Sequence, residues 1–319
     1  MGVTTREIFG AAPQAEPAAP GTYGHSPKGY RLPDATRLGA VRLQVSNLAR
    51  SLAFYEHTLG LRVVERTDTN ASLAPHGDAR PIIELEERRT VKPAGRGLLG
   101  LYHFAILLPD RPSLGRFVRH LADIRADAGG SDHLVSEAFY LTDPDGLGIE
   151  IYADRPRETW QRIGRELMIS TDTVDVAGLV AAAGDTPWTG MPAGTTIGHV
   201  HLHVGNLAQG AAFFSEALGF DRMTWRYPGA LFLGAGGYHH HLGTNEWAGP
   251  GARPPAEEDA RLLEWTMEVP TADDVAALVR SVSTAGHVID GLAPGQARTR
   301  DPWGTVIRVR AVGDPEVAR

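Results

Sequence analysis

The chain of 319 residues contains no cysteine. A disulfide framework and a thiolate metal site are therefore excluded, and any metal must be held by His, Asp or Glu. Positive charge is also limited, because the formal net charge is −7 and no run of Lys and Arg is interleaved with aromatic residues. We expect no nucleic-acid partner, since binding to a phosphate backbone needs a basic surface.

Long apolar stretches are absent as well. No apolar run approaches the roughly 18 residues of a membrane-spanning helix, so we expect no membrane partner. The N-terminus lacks the charged and then apolar pattern of a secretory signal, and residues 1–35 are rich in Ala, Pro and Gly. These features predict a cytoplasmic protein with a mostly disordered leader over residues 1–35.

The sequence contains an internal repeat. The segment LGAVRLQVSNLARSLAFYEHTLGL from Leu38 aligns without a gap to IGHVHLHVGNLAQGAAFFSEALGF from Ile197. A second pair of similar segments ends in the turns DPDG at Asp143 and DPWG at Asp301. Each unit has the pattern of a strand, a capped helix and further short strands. The repeat predicts an α+β fold of four βαβββ modules.

These modules divide the chain into two halves. We place modules 1 and 2 in residues 36–155 and modules 3 and 4 in residues 196–319. Residues 156–195 are predicted to be a linker with a short helix, because Gly and Pro are frequent there.

Four such modules, with a first strand such as GHVHLHVGNL and a Leu-Gly helix end, resemble the vicinal-oxygen-chelate superfamily. That superfamily comprises glyoxalases, bleomycin-resistance proteins and extradiol dioxygenases. The segments YHFAILLP, SDHLVSEAFYLTDPDGLGIEIY and GGYHHH are similar to the bacterial catechol 2,3-dioxygenase group with four modules in one chain. The resemblance implies that the modules pair into two incomplete barrels.

The same resemblance implies a metal site inside one barrel, with ligands on first strands and on a last strand. Module 2 has His103 and Glu150 at these positions, and module 3 has His199. If module 2 pairs with module 3, two imidazoles and one carboxylate meet, which is typical of non-haem Fe(II), with Mn(II) as the alternative. His201 and His203 share the strand and the face of His199, so either could replace it as a ligand.

The remaining pair, modules 1 and 4, has a different set at the equivalent positions. These residues are Ala40, Glu264 and Arg308. We expect that this second barrel is structural and holds no metal, because a cation and an alanine replace two of the ligands.

The run from Tyr238 to His241 is dense in imidazole. By resemblance, His240 matches an active-site base, His133 a second active-site histidine, and Tyr140 the tyrosine that hydrogen-bonds the bound diol. A histidine near its ordinary pKa of about 6.5 suits proton transfer at neutral pH. Strand alternation would send the side chain of His239 to the face opposite that of His240.

The resemblance implies an extradiol ring-cleaving dioxygenase that acts on a small aromatic diol with O2. Two alternatives use the same scaffold, because a fold does not determine a function. One is a glyoxalase-like, metal-dependent lyase or isomerase, and the other is a non-catalytic protein that binds an aromatic compound or drug. The ring substituents, the choice between Fe and Mn, and the formation of a homo-oligomer stay open.

Overall fold

The structure is a computed structural model and describes residues 2–313. Its strands are β1 (Glu16–Pro17), β2 (Arg37–Val45), β3 (Arg62–Arg66), β4 (Asn70–Ala74), β5 (Ile83–Glu87), β6 (Gly100–Leu107), β7 (Gly129–Asp132), β8 (Ser136–Thr142), β9 (Gly148–Asp154), β10 (Gln161–Ile163), β11 (Glu166–Leu167), β12 (Thr196–His203), β13 (Asp221–Thr224), β14 (Ala230–Gly234), β15 (Leu242–Asn245), β16 (Arg261–Val269), β17 (Ile289–Ala293), β18 (Gln296–Arg300) and β19 (Val306–Ala311).

Within residues 2–313 the helices are fewer than the strands. They are α1 (Thr5–Phe9), α2 (Leu48–His57), α3 (Arg111–Asp123), α4 (Val176–Ala183), α5 (Leu207–Gly210) and α6 (Ala272–Thr284). A 3-10 turn covers Arg157–Thr159, and α5 continues as a π-helix over Ala211–Ala217. None of the helices in residues 2–313 combines the length and the apolar character that crossing a membrane requires.

Two curled sheets of eight strands organise the described chain. The first, the 2/3 sheet, has the order β13-β14-β15-β12-β6-β9-β8-β7, and the second, the 1/4 sheet, has the order β17-β18-β19-β16-β2-β5-β4-β3. A small third sheet has the order β1-β10-β11. The predicted fold of four modules in two incomplete barrels is confirmed.

The module pairing crosses the two halves of the chain. In the 2/3 sheet, β6 of module 2 pairs antiparallel with β12 of module 3. In the 1/4 sheet, β2 of module 1 pairs antiparallel with β16 of module 4. Each half therefore contributes one module to each sheet. The domain boundaries that place two modules in residues 36–155, a linker in 156–195 and two modules in 196–319 stay a prediction.

Local sequence explains why these elements form. In β2, Val41, Leu43 and Val45 alternate along the strand and are fully buried on the face that supports the helices. Asn47 then begins α2, because its side chain accepts a hydrogen bond from the Arg50 N–H, and Asp110 begins α3 in the same way. The opposite face of each sheet is left for the barrel interior.

The leader differs from the expected disorder. Residues 2–35 contain α1 and β1, and β1 pairs with β10. Leu32 is 2% exposed and belongs to the main hydrophobic core, while Tyr23 packs into a second apolar cluster. Arg31 also donates to Asp221 at 2.7 Å. The prediction of disorder was wrong for residues 2–35, because these distant partners compensate for a composition that is poor in apolar residues.

Candidate metal centre

Three strands at the middle of the 2/3 sheet bring the predicted ligands together. His103 lies on β6, Glu150 on the neighbouring β9 and His199 on β12. Their ligand atoms all lie within 4.8 Å of one another. Nε2 of His103 is 3.0 Å and Nε2 of His199 is 3.2 Å from Oε2 of Glu150. All three side chains are buried, so the cluster is shielded from bulk water.

The electrostatics of this cluster fit a divalent cation. Burial would raise the pKa of Glu150, but its contacts with His199 and His103 hold that pKa well below its usual range. Burial lowers the pKa of His199 to about 4. At neutral pH the cluster therefore consists of a carboxylate and a neutral His199 imidazole, the protonation states that metal ligation requires.

Two further observations support this fit. Within residues 2–313, no Lys or Arg lies within ion-pair distance of Glu150, and the imidazoles of His103 and His199 contact its carboxylate. His103 Nε2 is close to the carboxylate but does not point at it, so this buried atom has no hydrogen-bond partner in the described part of the chain. A buried anion without a cation and an imidazole nitrogen without a partner are both satisfied by a metal ion.

The equivalent positions of the 1/4 sheet hold an ion pair instead. Glu264 Oε2 lies 3.1 Å from Nε of Arg298, and Glu264 Oε1 lies 3.8 Å from Nη1 of Arg308. Ala40 has no ligand atom at the third position. The carboxylate there is neutralised by arginine, and the expectation that this barrel binds no metal stays a prediction.

The other two histidines of β12 have different surroundings. His201 pairs directly with His103 across the β6–β12 ladder, and its buried Nε2 has no hydrogen-bond partner among residues 2–313. His203 Nδ1–H donates to Oδ1 of Asn245 at 2.6 Å. Neither belongs to the group of three ligand atoms found in the described residues. This geometry favours His199 over both as the third ligand.

A cavity of about 1500 Å³ adjoins the cluster. His103 and Glu150 line it, and so do the three predicted catalytic residues, which are His133, Tyr140 and His240. Its wall also includes the aromatic side chains of Tyr102, Tyr227, Phe232 and Trp247. The cavity can therefore hold an aromatic ring beside the candidate ligands.

Tyr140 and His133 form a hydrogen-bonded pair at this cavity. Tyr140 lies directly opposite Glu150 in the β8–β9 ladder, and burial raises the pKa of its hydroxyl well above the usual value. His133 Nδ1 lies 2.6 Å from the Ser170 carbonyl oxygen, so Nδ1–H is the donor. In a neutral imidazole, Nε2 then accepts the proton of the Tyr140 hydroxyl, 2.6 Å away. The Tyr140 oxygen keeps lone pairs for a ligand.

His240 is the end of a second hydrogen-bonded chain. His239 Nε2–H donates to Oδ1 of Asp154 at 2.8 Å, which leaves His239 Nδ1 as an acceptor. His240 Nδ1–H then donates to that atom at 2.7 Å, and no residue of the described chain donates a hydrogen bond to Nε2 of His240. Burial lowers the pKa of His240 well below its ordinary value, contrary to the expected value near 6.5. A neutral His240 can accept a proton at Nε2.

Sequence reasoning missed Asp154 and assigned no role to His239, whose side chain it placed on the face opposite that of His240. The run from Tyr238 to His241 lies in the connection between β14 and β15, so strand alternation does not separate His239 from His240. Their ring centroids are 4.7 Å apart. The density of imidazole in GGYHHH indicated a polar site, but no sequence signal connected it with Asp154 on β9.

Paired-module barrels with a buried cluster of two histidines and one carboxylate are typical of metal-dependent vicinal-oxygen-chelate proteins. The chain belongs to the Glyoxalase/Bleomycin resistance protein/Dioxygenase superfamily, which it matches over residues 37–151 and 196–315. It is 43% identical over 271 residues to the catechol-2,3-dioxygenase of Bacillus subtilis (strain 168), covering 84% of this chain and 94% of that protein.

Solved structures show the same fold at low identity. A candidate dioxygenase from Bacillus subtilis subsp. subtilis str. 168 has a TM-score of 0.62 and 12% identity, over 90% of this chain and 87% of that one. Glyoxalase I from Zea mays has a TM-score of 0.52 and 17% identity, over 87% and 92% of the two chains. These two likenesses show the fold alone.

Proposed function

We propose that this protein is an extradiol ring-cleaving dioxygenase that acts on catechol-type diols with O2. In this proposal His103, Glu150 and His199 hold Fe(II), with Mn(II) as the alternative. The observation that carries it is the buried carboxylate beside two imidazoles, at a cavity that also contains two hydrogen-bonded proton carriers. The name of the Bacillus subtilis relative supports the same reaction.

The chain's own residues provide proton transfer and orientation. His240 accepts a diol proton at Nε2, because its Nδ1–H is already donated to His239. Tyr140 accepts a hydrogen bond from the second diol hydroxyl, because its own proton is donated to His133. Tyr102 and Trp247 cover the ring with aromatic surface. When bound, the iron would hold diol and oxygen side by side and pass electrons between them.

Oxygen uptake on addition of catechol tests the proposal. The protein is purified without oxygen, loaded with Fe(II), and followed by an oxygen electrode and by the absorbance of the ring-opened product. We expect one O2 per catechol and a yellow product in the wild type and in Glu264→Ala, the equivalent position of the 1/4 sheet. Neither signal should appear in Glu150→Ala or His199→Ala.

Other outcomes distinguish the alternatives. No oxygen uptake with catechol or substituted catechols would refute the dioxygenase and leave a glyoxalase-like lyase or isomerase, or a non-catalytic binding protein. Activity that survives in His199→Ala would refute the ligand set and turn attention to His201.

A further inference from the structure

The N-terminal segment Gly2–Phe9 lies at the cavity of the candidate metal centre. Gly2 and Val3 are part of the cavity wall. Val3 and Ile8 also pack against a buried apolar cluster that contains Tyr227 and Phe232, two other residues of that wall. The segment therefore contributes surface to the same cavity that the candidate ligands His103 and Glu150 line.

Hydrogen bonds hold Val3 in place on both sides. Its backbone N–H donates to the hydroxyl of Tyr227 at 3.1 Å, and its carbonyl accepts from the Thr171 N–H at 2.8 Å. The hydroxyls of Thr171 and Tyr227 are themselves 2.8 Å apart. Val3 is thus tied to a cavity residue and to the segment Ser170–Asp172.

Thr5 makes the second attachment. Its N–H donates to Asp172 Oδ1 at 3.1 Å, and its hydroxyl contacts the other oxygen of Asp172 as well as the Ser170 hydroxyl, 2.8 Å away. The Ser170 hydroxyl donates to Asp172 at 2.8 Å. Asp172 therefore gathers three donors from two segments, and Thr5 supplies two of them.

The segment Ser170–Asp172 reaches the active site directly. Asp172 exchanges both backbone hydrogen bonds with Asp132, at 2.8 and 2.9 Å. The next residue, His133, donates Nδ1–H to the Ser170 carbonyl and accepts the proton of Tyr140. Any displacement of Ser170 changes the anchor that orients the His133 ring and, through it, the Tyr140 hydroxyl.

We propose that Gly2 and Val3 are a substrate-facing wall of the cavity and that Thr5 is a positioning residue for His133. Thr5 acts through Asp172 and Ser170, whose carbonyl sets the tautomer and direction of the His133 ring. Val3 limits the size of the ring substituent that the cavity accepts. The inference rests on the proposed function, because it assigns an aromatic diol to the cavity.

Two variants and one control test this proposal. Thr5→Val keeps the shape of the side chain and removes its hydroxyl, and Val3→Ala removes two methyl groups from the wall. Arg6→Ala is the control, because Arg6 is exposed and directly follows Thr5 in the chain. Thermal unfolding first establishes that all three variants fold like the wild type. If Thr5→Val does not fold, Asp172→Asn serves as the second variant for the same attachment.

Amide hydrogen exchange tests the positioning role of Thr5 without depending on enzymatic turnover. In the metal-loaded wild type and in Arg6→Ala, the Thr171 amide should be protected, because it donates to Val3. In Thr5→Val that amide and the Asp172 amide should exchange about fivefold faster or more, since one hydrogen bond is worth about 1 kcal/mol. Unchanged exchange at both amides would overturn the positioning role of Thr5.

Steady-state kinetics test both the positioning role of Thr5 and the contribution of Val3 to the cavity wall. With catechol, Thr5→Val should raise KM by about fivefold and change kcat less, because the Tyr140 contact to the diol weakens. Val3→Ala should raise kcat/KM for 4-tert-butylcatechol relative to catechol by about fivefold, which corresponds to about 1 kcal/mol of relieved crowding. An unchanged ratio would overturn the role of Val3.

Failure of the proposed function would look different. If the wild type takes up no oxygen, the proposed dioxygenase function is refuted. Equilibrium binding of 4-nitrocatechol and 4-tert-butylcatechol then still tests the role of Val3 in the cavity wall. In that case the affinity for 4-tert-butylcatechol relative to that for 4-nitrocatechol should be higher in Val3→Ala than in the wild type. Equal relative affinities would overturn the wall on their own.

Discussion

Acidification should destabilise the metal-free protein, because the fold buries neutral histidines. Burial lowers the pKa of His199 to about 4 and that of His241 to about 3. In the unfolded chain both groups return to about 6.5, the ordinary histidine value. As the pH falls below that value, the unfolded state binds protons that the folded state does not bind. The stability is therefore present above about pH 6.5 and is lost below it.

The magnitude follows from these pKa values. Between about pH 7.5 and about pH 5, each of the two histidines costs about 2 kcal/mol, since one pKa unit is worth about 1.4 kcal/mol. Burial also lowers the pKa of His201 and His240, which act in the same direction. Asp143 opposes them, because burial raises its pKa to about 6 and its protonation in this range returns about 1 kcal/mol.

Urea unfolding of the metal-free protein at the two pH values measures this loss. The matched variant is His241→Asn, which offers an amide oxygen near the position of Nδ1, the atom that accepts from the Ala235 N–H, but does not titrate. The difference in unfolding free energy between the two pH values should be about 2 kcal/mol smaller in this variant than in the wild type. An equal difference in both proteins would refute the reasoning that His241 is buried in its neutral form.

Three further predictions concern the candidate site. Excess Mn(II) should raise the midpoint of thermal unfolding by several degrees, since about 100-fold excess over Kd adds about 2.7 kcal/mol to the free energy of unfolding. The shift should vanish in Glu150→Ala, and a shift of equal size in that variant would contradict the ligand set. His239→Leu should lower kcat by about tenfold with little change in KM, because His240 loses the acceptor that sets its tautomer. His239→Asn should recover part of the rate, and equal rates in the two variants would argue against the role of His239 as that acceptor. Tyr140→Phe should raise KM for catechol by about tenfold through the loss of one hydrogen bond, and an unchanged KM measured by oxygen uptake would exclude the contact.

The repeated pattern made the four βαβββ modules predictable from the sequence. Resemblance to a known family supplied the ligand positions of His103, Glu150 and His199, and the pairing of module 2 with module 3 followed because it brings these three positions together. Contacts between distant segments were not predictable in this way. Leu32 packs into the core although its surroundings are rich in Pro and Gly, and Asp154 meets His239 only through a connection without regular structure.

The crossed pairing of modules has a consequence for synthesis on the ribosome. When modules 1 and 2 have emerged, β2 and β6 are both edge strands, since their partners β16 and β12 lie in the second half of the chain. Exposed edges of this kind favour association with other chains, so the nascent first half is a natural client for chaperones. Exchange of second halves between two copies would rebuild both sheets with native pairing, which makes a swapped dimer the expected product of refolding at high concentration.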